Sequence, residues 1–122
     1  MFDHLVISIN DHHRSLAFYT QALAPLGIEV EDTWSNSFSM MIPGRPAQLG
    51  FSAVNTDVTP QHIAFSASSE DQVRQFHAQA IAAGGTDNGA PGLREKYDSG
   101  YFAAFVIDPD GHNLEAVYHV PG

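Results

Sequence analysis

The chain has 122 residues, 43% of them hydrophobic, which suits one globular domain with a sizeable core. Its 14 acidic residues outnumber 5 scattered basic ones, so the net charge is −9, and this excludes the clustered cationic face that nucleic acid or an anionic membrane requires. Because the sequence contains no cysteine, any metal site must use histidine, carboxylate, amide or water ligands.

The first predicted element is a strand over residues 3–9, where polar and apolar residues alternate. No signal peptide and no membrane-spanning run precedes it, so we expect a cytoplasmic protein with no membrane partner. The two faces of this strand are His4, Val6 and Ser8 on one side and Leu5, Ile7 and Ile9 on the other.

A helix and a group of strands are predicted next. Asp11 can cap a helix whose core face includes Leu16 and Tyr19, and Pro25 ends it. Three strand-like runs with short connections then predict an antiparallel meander over residues 28–32, 38–42 and 47–54.

The same pattern begins again at an offset of 58 residues, which places His4 on His62. Ser69 and Gln72 resemble a capping box at the start of the second helix. Other matches pair Ser8 with Ser66, Phe18 with Phe76, and Gly27 with Gly85. We therefore expect a single domain built from two copies of one strand, helix and strands unit, the modules being residues 1–57 and 58–122.

The second half contains one stretch without a counterpart in the first. Residues 86–100 are rich in Gly, Pro and polar side chains and are predicted to form a loop. Its polar cluster, which includes Arg94 and Tyr97, could act as a lid or bind an anionic group of a substrate. A strand over residues 101–107, the turn at 108–111 and a last strand around Glu115 complete the second module.

Three residues are candidates for chemistry. His4 and His62 take the same place in equivalent strands, on the face opposite the most apolar residues. Glu115 lies in an otherwise apolar strand, so its carboxylate is either on a solvated face or turned inward beside a cation. The other five histidines, including His112 at a turn and His119 about 13 Å along the strand from Glu115, are interpreted as structural or solvated.

Recognisable motifs occupy residues 4–27, 62–65, 84–85, the Asp-Pro-Asp-Gly turn at 108–111, and 113–115. Together they resemble the vicinal-oxygen-chelate superfamily, which includes glyoxalase I, extradiol dioxygenases and bleomycin resistance proteins. The resemblance implies an α+β fold in which two pseudo-symmetric β-α-β-β-β modules form a curved mixed sheet, or partial barrel, around a metal. It also implies that His4, His62 and Glu115 are metal ligands. Residues 88–94 resemble a loop of a less characterised glyoxalase-like branch.

The sequence departs from the lyase members of this superfamily at the fourth ligand, a carboxylate that also serves as catalytic base. The corresponding strand contains no acid, and strand parity leaves Gln48 or Gly50 at this position. Gln48 is the candidate fourth ligand, but an amide is a poor base, and no other residue is assigned to that role.

These features predict an enzyme that uses one divalent metal (Fe, Ni, Zn, Mn or Co) on a small substrate chelated through adjacent oxygens. A glyoxalase-like lyase or isomerase is the leading interpretation. An extradiol-type dioxygenase using Fe(II) and a non-catalytic protein that binds an antibiotic or metabolite are the alternatives. Relatives often dimerise, so we expect a homodimer, with the site within one chain or shared between two. Residues expected to line the pocket or its lid are Trp34, Phe38, Met40, Arg94, Tyr97 and Tyr101.

Overall fold

A computed structural model describes residues 1–46 and 48–122. The predicted α+β fold of two repeated modules is confirmed, with two four-stranded mixed sheets that do not close. The first module contains β1 (Leu5–Ile9), α1 (His12–Leu23), a short 3₁₀ helix (Ala24–Leu26), β2 (Glu29–Thr33), β3 (Ser37–Met41) and β4 (Leu49–Ala53). The second contains β5 (His62–Ser66), α2 (Glu70–Ala82), β6 (Thr86–Leu93), β7 (Tyr101–Ile107) and β8 (Asn113–His119). Ala47, at the start of the strand predicted over residues 47–54, lies outside the described residues.

The two sheets have the same topology. The strand order is β1-β4-β3-β2 in the first and β5-β8-β7-β6 in the second. In each sheet the first two strands pair in parallel and the others pair antiparallel. The repeat seen in the sequence is therefore a repeat of topology as well as of residue pattern.

Both helices begin at the residues that the sequence predicts. The Asp11 carboxylate accepts a hydrogen bond from the Arg14 N–H at 3.0 Å, and the Ser69 hydroxyl accepts one from the Gln72 N–H at 3.1 Å. The Gln72 side chain accepts a hydrogen bond from the N–H of Ser68, whereas in a standard capping box it would accept from the N–H of Ser69. Neither helix in the described ranges is long and apolar enough to cross a membrane.

The core lies between the helices and one face of each sheet. Its aromatic centre comes from α1 and the first sheet, where the Phe51 ring contacts Tyr19 on one side and stacks on Phe38. Apolar residues of β7 and β8, such as Phe102 and Leu114, extend it into the second module. Among the described residues no helix packs against the opposite side of either sheet, and we call these sides the open faces.

The Asp-Pro-Asp-Gly turn joins the two modules. Asp108 is buried and accepts a hydrogen bond from the Tyr19 hydroxyl of α1. The pKa of Tyr19 is raised mainly because the hydroxyl is buried, and further because it lies beside this carboxylate. Asp110 accepts from the Arg14 guanidinium at 3.1 Å and from the Ser15 hydroxyl at 3.3 Å. Both carboxylates of the turn thus bind side chains of the first helix, which ties the modules together.

His112 is a core residue, where the sequence favoured a turn or surface role. Its side chain is fully buried, its Nδ1 accepts the Gln61 N–H at 2.9 Å, and its Nε2 lies 2.8 Å from the Ser8 carbonyl oxygen. Since Nδ1 is the acceptor, the Nε2–H is the donor to Ser8. The ring therefore links the end of β1 to the beginning of β5.

Most of the predicted loop at 86–100 is in fact strand β6, which occupies the place of β2 in the repeat. Its pairing with β7 shifts register on either side of Gly89, which marks β-bulges, and it contains Pro91. Bulges and proline are tolerated on an edge strand, and they hide the alternation that identifies a strand in sequence. Only residues 94–100 form a turn between strands.

Candidate functional site

His62 and Glu115 lie side by side on the open face of the second sheet. The parallel register pairs Ala64 with Glu115, so both candidate ligands project from the same side of neighbouring strands. The His62 Nε2 is 2.8 Å from the Glu115 Oε1. The Glu115 side chain is 3% exposed and that of His62 is 56% exposed, so the carboxylate is held inside and the imidazole reaches outward.

The second oxygen of Glu115 is also occupied, because it accepts the hydroxyl of Tyr101. Burial, this hydrogen bond and the charge of Glu115 raise the pKa of Tyr101 to about 12. The Glu115 carboxylate therefore turns inward, and the solvated interpretation is wrong. Two partners on different strands fix its orientation.

His4 is not part of this cluster within one chain. Its Nδ1 contacts the exposed carboxylate of Asp3 at 2.6 Å, and 62% of its side chain is exposed. The described residues contain no group of three or more histidine and carboxylate side chains that could hold a metal ion. One chain thus brings together two of the three candidate ligands.

The orientation of β1 relative to β5 explains this separation. The buried His112 ties Ser8, near the end of β1, to Gln61 at the start of β5. Leu5, near the other end of β1, shares a cavity of about 180 Å³ with Phe65, near the end of β5. The two strands run in opposite directions, so His4 lies about 13 Å along β1 from the end that adjoins His62.

The sheet register decides between Gln48 and Gly50. Glu115 pairs with Ala64, and the equivalent of Ala64 in the first module is Val6, which pairs with Gly50. Gly50, and not Gln48, therefore takes the place of Glu115 in the repeat. Gln48 precedes β4, its side chain is exposed, and its backbone carbonyl accepts the Leu5 N–H at 2.9 Å.

The residues predicted to line a pocket or lid fall into two groups. Phe38 and Met40 are each 1% exposed on the helix side of β3, and Phe38 stacks on Phe51 in the core with ring centroids 4.5 Å apart. Met40 belongs to the same core and only borders the cavity of about 180 Å³. Trp34 is exposed in the connection between β2 and β3.

The other pocket candidates lie near Glu115. Tyr97 packs edge-on against Tyr101, with ring centroids 5.2 Å apart, and the Arg94 guanidinium lies 5.4 Å from the centre of the Phe105 ring. Sequence reasoning did not identify Phe105 as part of this cluster. It also did not predict that the His119 ring packs edge-on against Tyr101, with ring centroids 5.4 Å apart. Phe105 has the parity of Tyr101 in β7, which was the available signal.

A larger cavity of about 660 Å³ adjoins His62 between the modules. It is lined by β1, by the start of β5 and by the segment that connects the modules, including Val6, Thr56 and Gln61. The neighbouring open face of the first sheet carries mainly small side chains, namely Ser8, Ser37, Ser39, Gly50 and Ser52. Space for a small molecule is therefore available beside His62.

Comparison with known proteins identifies the family. The family model for the glyoxalase/bleomycin resistance protein/dioxygenase superfamily matches residues 1–116. The chain belongs to this superfamily. No curated protein gives a significant match to the sequence.

Solved structures of the superfamily share the whole fold. A glyoxalase/bleomycin resistance protein from Albidiferax ferrireducens T118 is 29% identical, with a TM-score of 0.84 over 98% of this chain and 99% of that one. A protein described as oxidase ChaP-H2 is 26% identical, with a TM-score of 0.71 over 100% of this chain and 95% of that one. A glyoxalase-related enzyme from Fulvimarina pelagi is 20% identical, with a TM-score of 0.76 over 97% and 87% of the two chains, and supports the fold alone.

Members of this superfamily usually bind a divalent metal. The donors that this chain offers, an imidazole nitrogen and a carboxylate oxygen in contact on a sheet face, are ligands that first-row metals prefer. A catalytic site generally uses three protein ligands, and His4 is the remaining candidate. The donor set fits a metal if His4 is brought to His62 and Glu115 from outside the chain.

Proposed function

We propose that this superfamily member is an Fe(II)-dependent oxygenase that acts on a small substrate with two adjacent oxygens. His62 and Glu115 of one chain and His4 of a second copy are the proposed metal ligands, so the active form is a homodimer. The absence of a side chain at Gly50 carries the choice of reaction. It leaves two histidines and one carboxylate, a set typical of non-haem iron oxygenases.

A second copy is invoked because each open face lacks what the other offers. The first sheet presents an exposed His4 among small side chains, and the second presents His62, Glu115 and bulky aromatic residues. Val6 is 65% exposed on the first face, and Tyr97 is 57% exposed beside the second. Packing the first face of one copy on the second face of another would cover these apolar side chains and complete the ligand set.

When bound, the metal would hold both oxygens of a catechol-like substrate and bring dioxygen next to them. Ring opening by both atoms of one dioxygen molecule balances without an external reductant. Within the chain, the Tyr101 hydroxyl donates to the Glu115 carboxylate and holds it in place.

The same residue, Gly50, disfavours the lyase interpretation. A glyoxalase-like isomerase needs a base that moves the proton next to a carbonyl, and Gly50 supplies none at the place where the lyase members have their carboxylate. The similarity to oxidase ChaP-H2 points in the same direction. The protein is therefore expected to consume oxygen with catechols and to be inactive on hemithioacetals.

The decisive experiment compares metal content and oxygen uptake in wild type, His62→Ala and Glu115→Ala, with His13→Ala as the control on an exposed histidine. Proteins are purified without a His tag or chelator and loaded with Fe(II) without air. We expect about one iron per chain and oxygen uptake with catechol in wild type and the control, and a loss of at least about 100-fold in the two ligand variants.

Two results would contradict the proposal. Isomerisation of a hemithioacetal by the nickel or zinc form, without oxygen uptake by the iron form, would support the lyase interpretation instead. If neither wild type nor any variant binds a metal, the protein is a binding protein of the resistance type.

A further inference from the structure

Strand β6 holds the guanidinium of Arg94 over the open face of the second sheet. The Arg94 side chain, in the turn just after β6, folds back on that strand, and its two terminal nitrogens donate to the carbonyl oxygens of Gly92 at 2.8 Å and Ala90 at 2.7 Å. These bonds fix the plane of the guanidinium. The remaining three of its five N–H donors have no partner in the parts of the chain that the structure describes.

The glycines of β6 make room for this arrangement. A Cβ atom on Gly89 would lie 3.1 Å from one terminal nitrogen of Arg94 and 2.9 Å from the Phe105 ring, and a Cβ on Gly92 would lie 3.3 Å from the other nitrogen. Gly89 also has a φ of +156°, which side chains rarely adopt. The Gly-Ala-Pro-Gly segment thus shapes a seat for one cation.

Phe105 connects this cation to the candidate metal ligands. It pairs directly with Glu115 across β7 and β8. Its ring lies 5.4 Å from the Arg94 guanidinium carbon and 6.3 Å from the His62 ring. Phe105 therefore lies beside both the fixed positive charge of Arg94 and the candidate ligand His62.

We propose that Arg94 binds the carboxylate of the substrate, so that the substrate is an aromatic acid with two adjacent oxygens. This inference rests on the proposed function for the position of the two oxygens. The flat ring would lie beside Phe105, between the metal ligands and the guanidinium. A chain of net charge −9 repels anions in general, so a seated arginine with unused donors is the local feature that would admit one.

The test compares catechol with 3,4-dihydroxybenzoate and 3-(3,4-dihydroxyphenyl)propionate, titrated without air into metal-loaded protein. In wild type at least one acid should bind about 10-fold more tightly than catechol. Arg94→Met should bring that ratio to within about 2-fold while catechol affinity and metal content stay unchanged. Arg94→Lys should keep part of the preference, since it retains charge but loses the fork of donors.

Lys96→Met is the matched control. Lys96 lies over the ring of the exposed Tyr97, outside the seat in β6, so its removal should leave the preference intact. An equal loss in Lys96→Met and Arg94→Met would mean that general charge attracts the acids, and this would overturn the proposal. The proposal is likewise overturned if Arg94→Met remains dimeric and metal-loaded and keeps the preference.

A metal-free arm separates this inference from the proposed function. 3-Phenylpropionate has the carboxylate without the two oxygens, and its weak binding to metal-free protein should vanish in Arg94→Met. If the catechols fail to bind in a metal-dependent way and this binding still depends on Arg94, the oxygenase proposal is wrong and the carboxylate site stands. If 3-phenylpropionate and the catechol acids are both indifferent to Arg94, the site is refuted.

Discussion

Glu115 illustrates how a single residue organises its surroundings. A carboxylate that is 2% exposed in an apolar strand must have partners, because desolvating an unpaired charge costs several kcal/mol, on the order of the stability of a small domain. His62 and Tyr101 provide one partner for each oxygen, from strands on opposite sides of β8. The requirement for partners was readable in the sequence, and their identity required the sheet register.

The hydroxyl of Tyr101 makes alkaline stability a test of this arrangement. Its pKa is raised from 10.0 to about 12, so between these values the folded state retains a proton that the unfolded state has lost. The associated stability is fully present below about pH 10 and is lost as the pH rises through about 12. We expect the urea midpoint of wild type to fall more steeply between pH 10 and 12 than that of Tyr101→Phe. Parallel curves for the two proteins would contradict this prediction.

Strand parity predicted part of the site and failed elsewhere for a physical reason. Parity places His62 on one face of β5 and Glu115 on one face of β8, and the parallel register makes these the same face of the sheet. In β3, Phe38 and Met40 are large and alternate with Ser37 and Ser39. Parity separates these two sets but does not say which one the helices cover, so it does not distinguish core residues from pocket residues in this strand.

Among the elements, β6 is a strand whose sequence lacks the alternation of polar and apolar residues that predicts a strand. Its sequence, TDNGAPGL, contains two glycines and a proline, and its two register shifts break the alternation of faces. The position of β2 in the first module could have predicted a strand here, since the repeat requires one at the edge of the sheet. Local composition, rich in Gly, Pro and polar residues, predicts a loop here, whereas the repeat predicts a strand.

The junction of α2 and β6 gives a prediction about packing between elements. A Cβ on Gly85 would lie 2.5 Å from a Val106 methyl group and 2.8 Å from the Ala80 carbonyl oxygen. Because the backbone oxygen cannot move aside, Gly85→Ala should lower the free energy of unfolding by about 2–3 kcal/mol. Gly50→Ala is the control, since its Cβ would have ordinary contacts at 3.6 Å, and it should change stability by less than about 0.5 kcal/mol. Equal effects in urea unfolding would refute this account.

For the whole molecule, the repeat predicted the topology and the symmetry but not how the two copies face each other. The contacts that set their orientation are long-range, such as Tyr19 with Asp108 and His112 with Ser8. They place His4 and His62 at opposite ends of neighbouring strands. Equivalent positions in sequence are therefore not adjacent in one chain, and a site that uses both must draw on two chains.

Complementation between inactive variants tests that consequence directly. His4→Ala and Glu115→Ala are co-expressed with two different affinity tags, neither of them polyhistidine, and the mixed dimer is purified. One of its two sites then lacks both side chains, while the other contains His4 from one chain and His62 and Glu115 from the other. We expect the mixed dimer to bind about half as much metal as wild type and to regain about half the activity, although each parent has neither.

The control is His62→Ala with Glu115→Ala, in which every shared site lacks one ligand and no recovery is expected. Recovery in the control, or none in the first pair despite stable mixed dimers, would exclude a site that combines His4 with His62 and Glu115 of another chain.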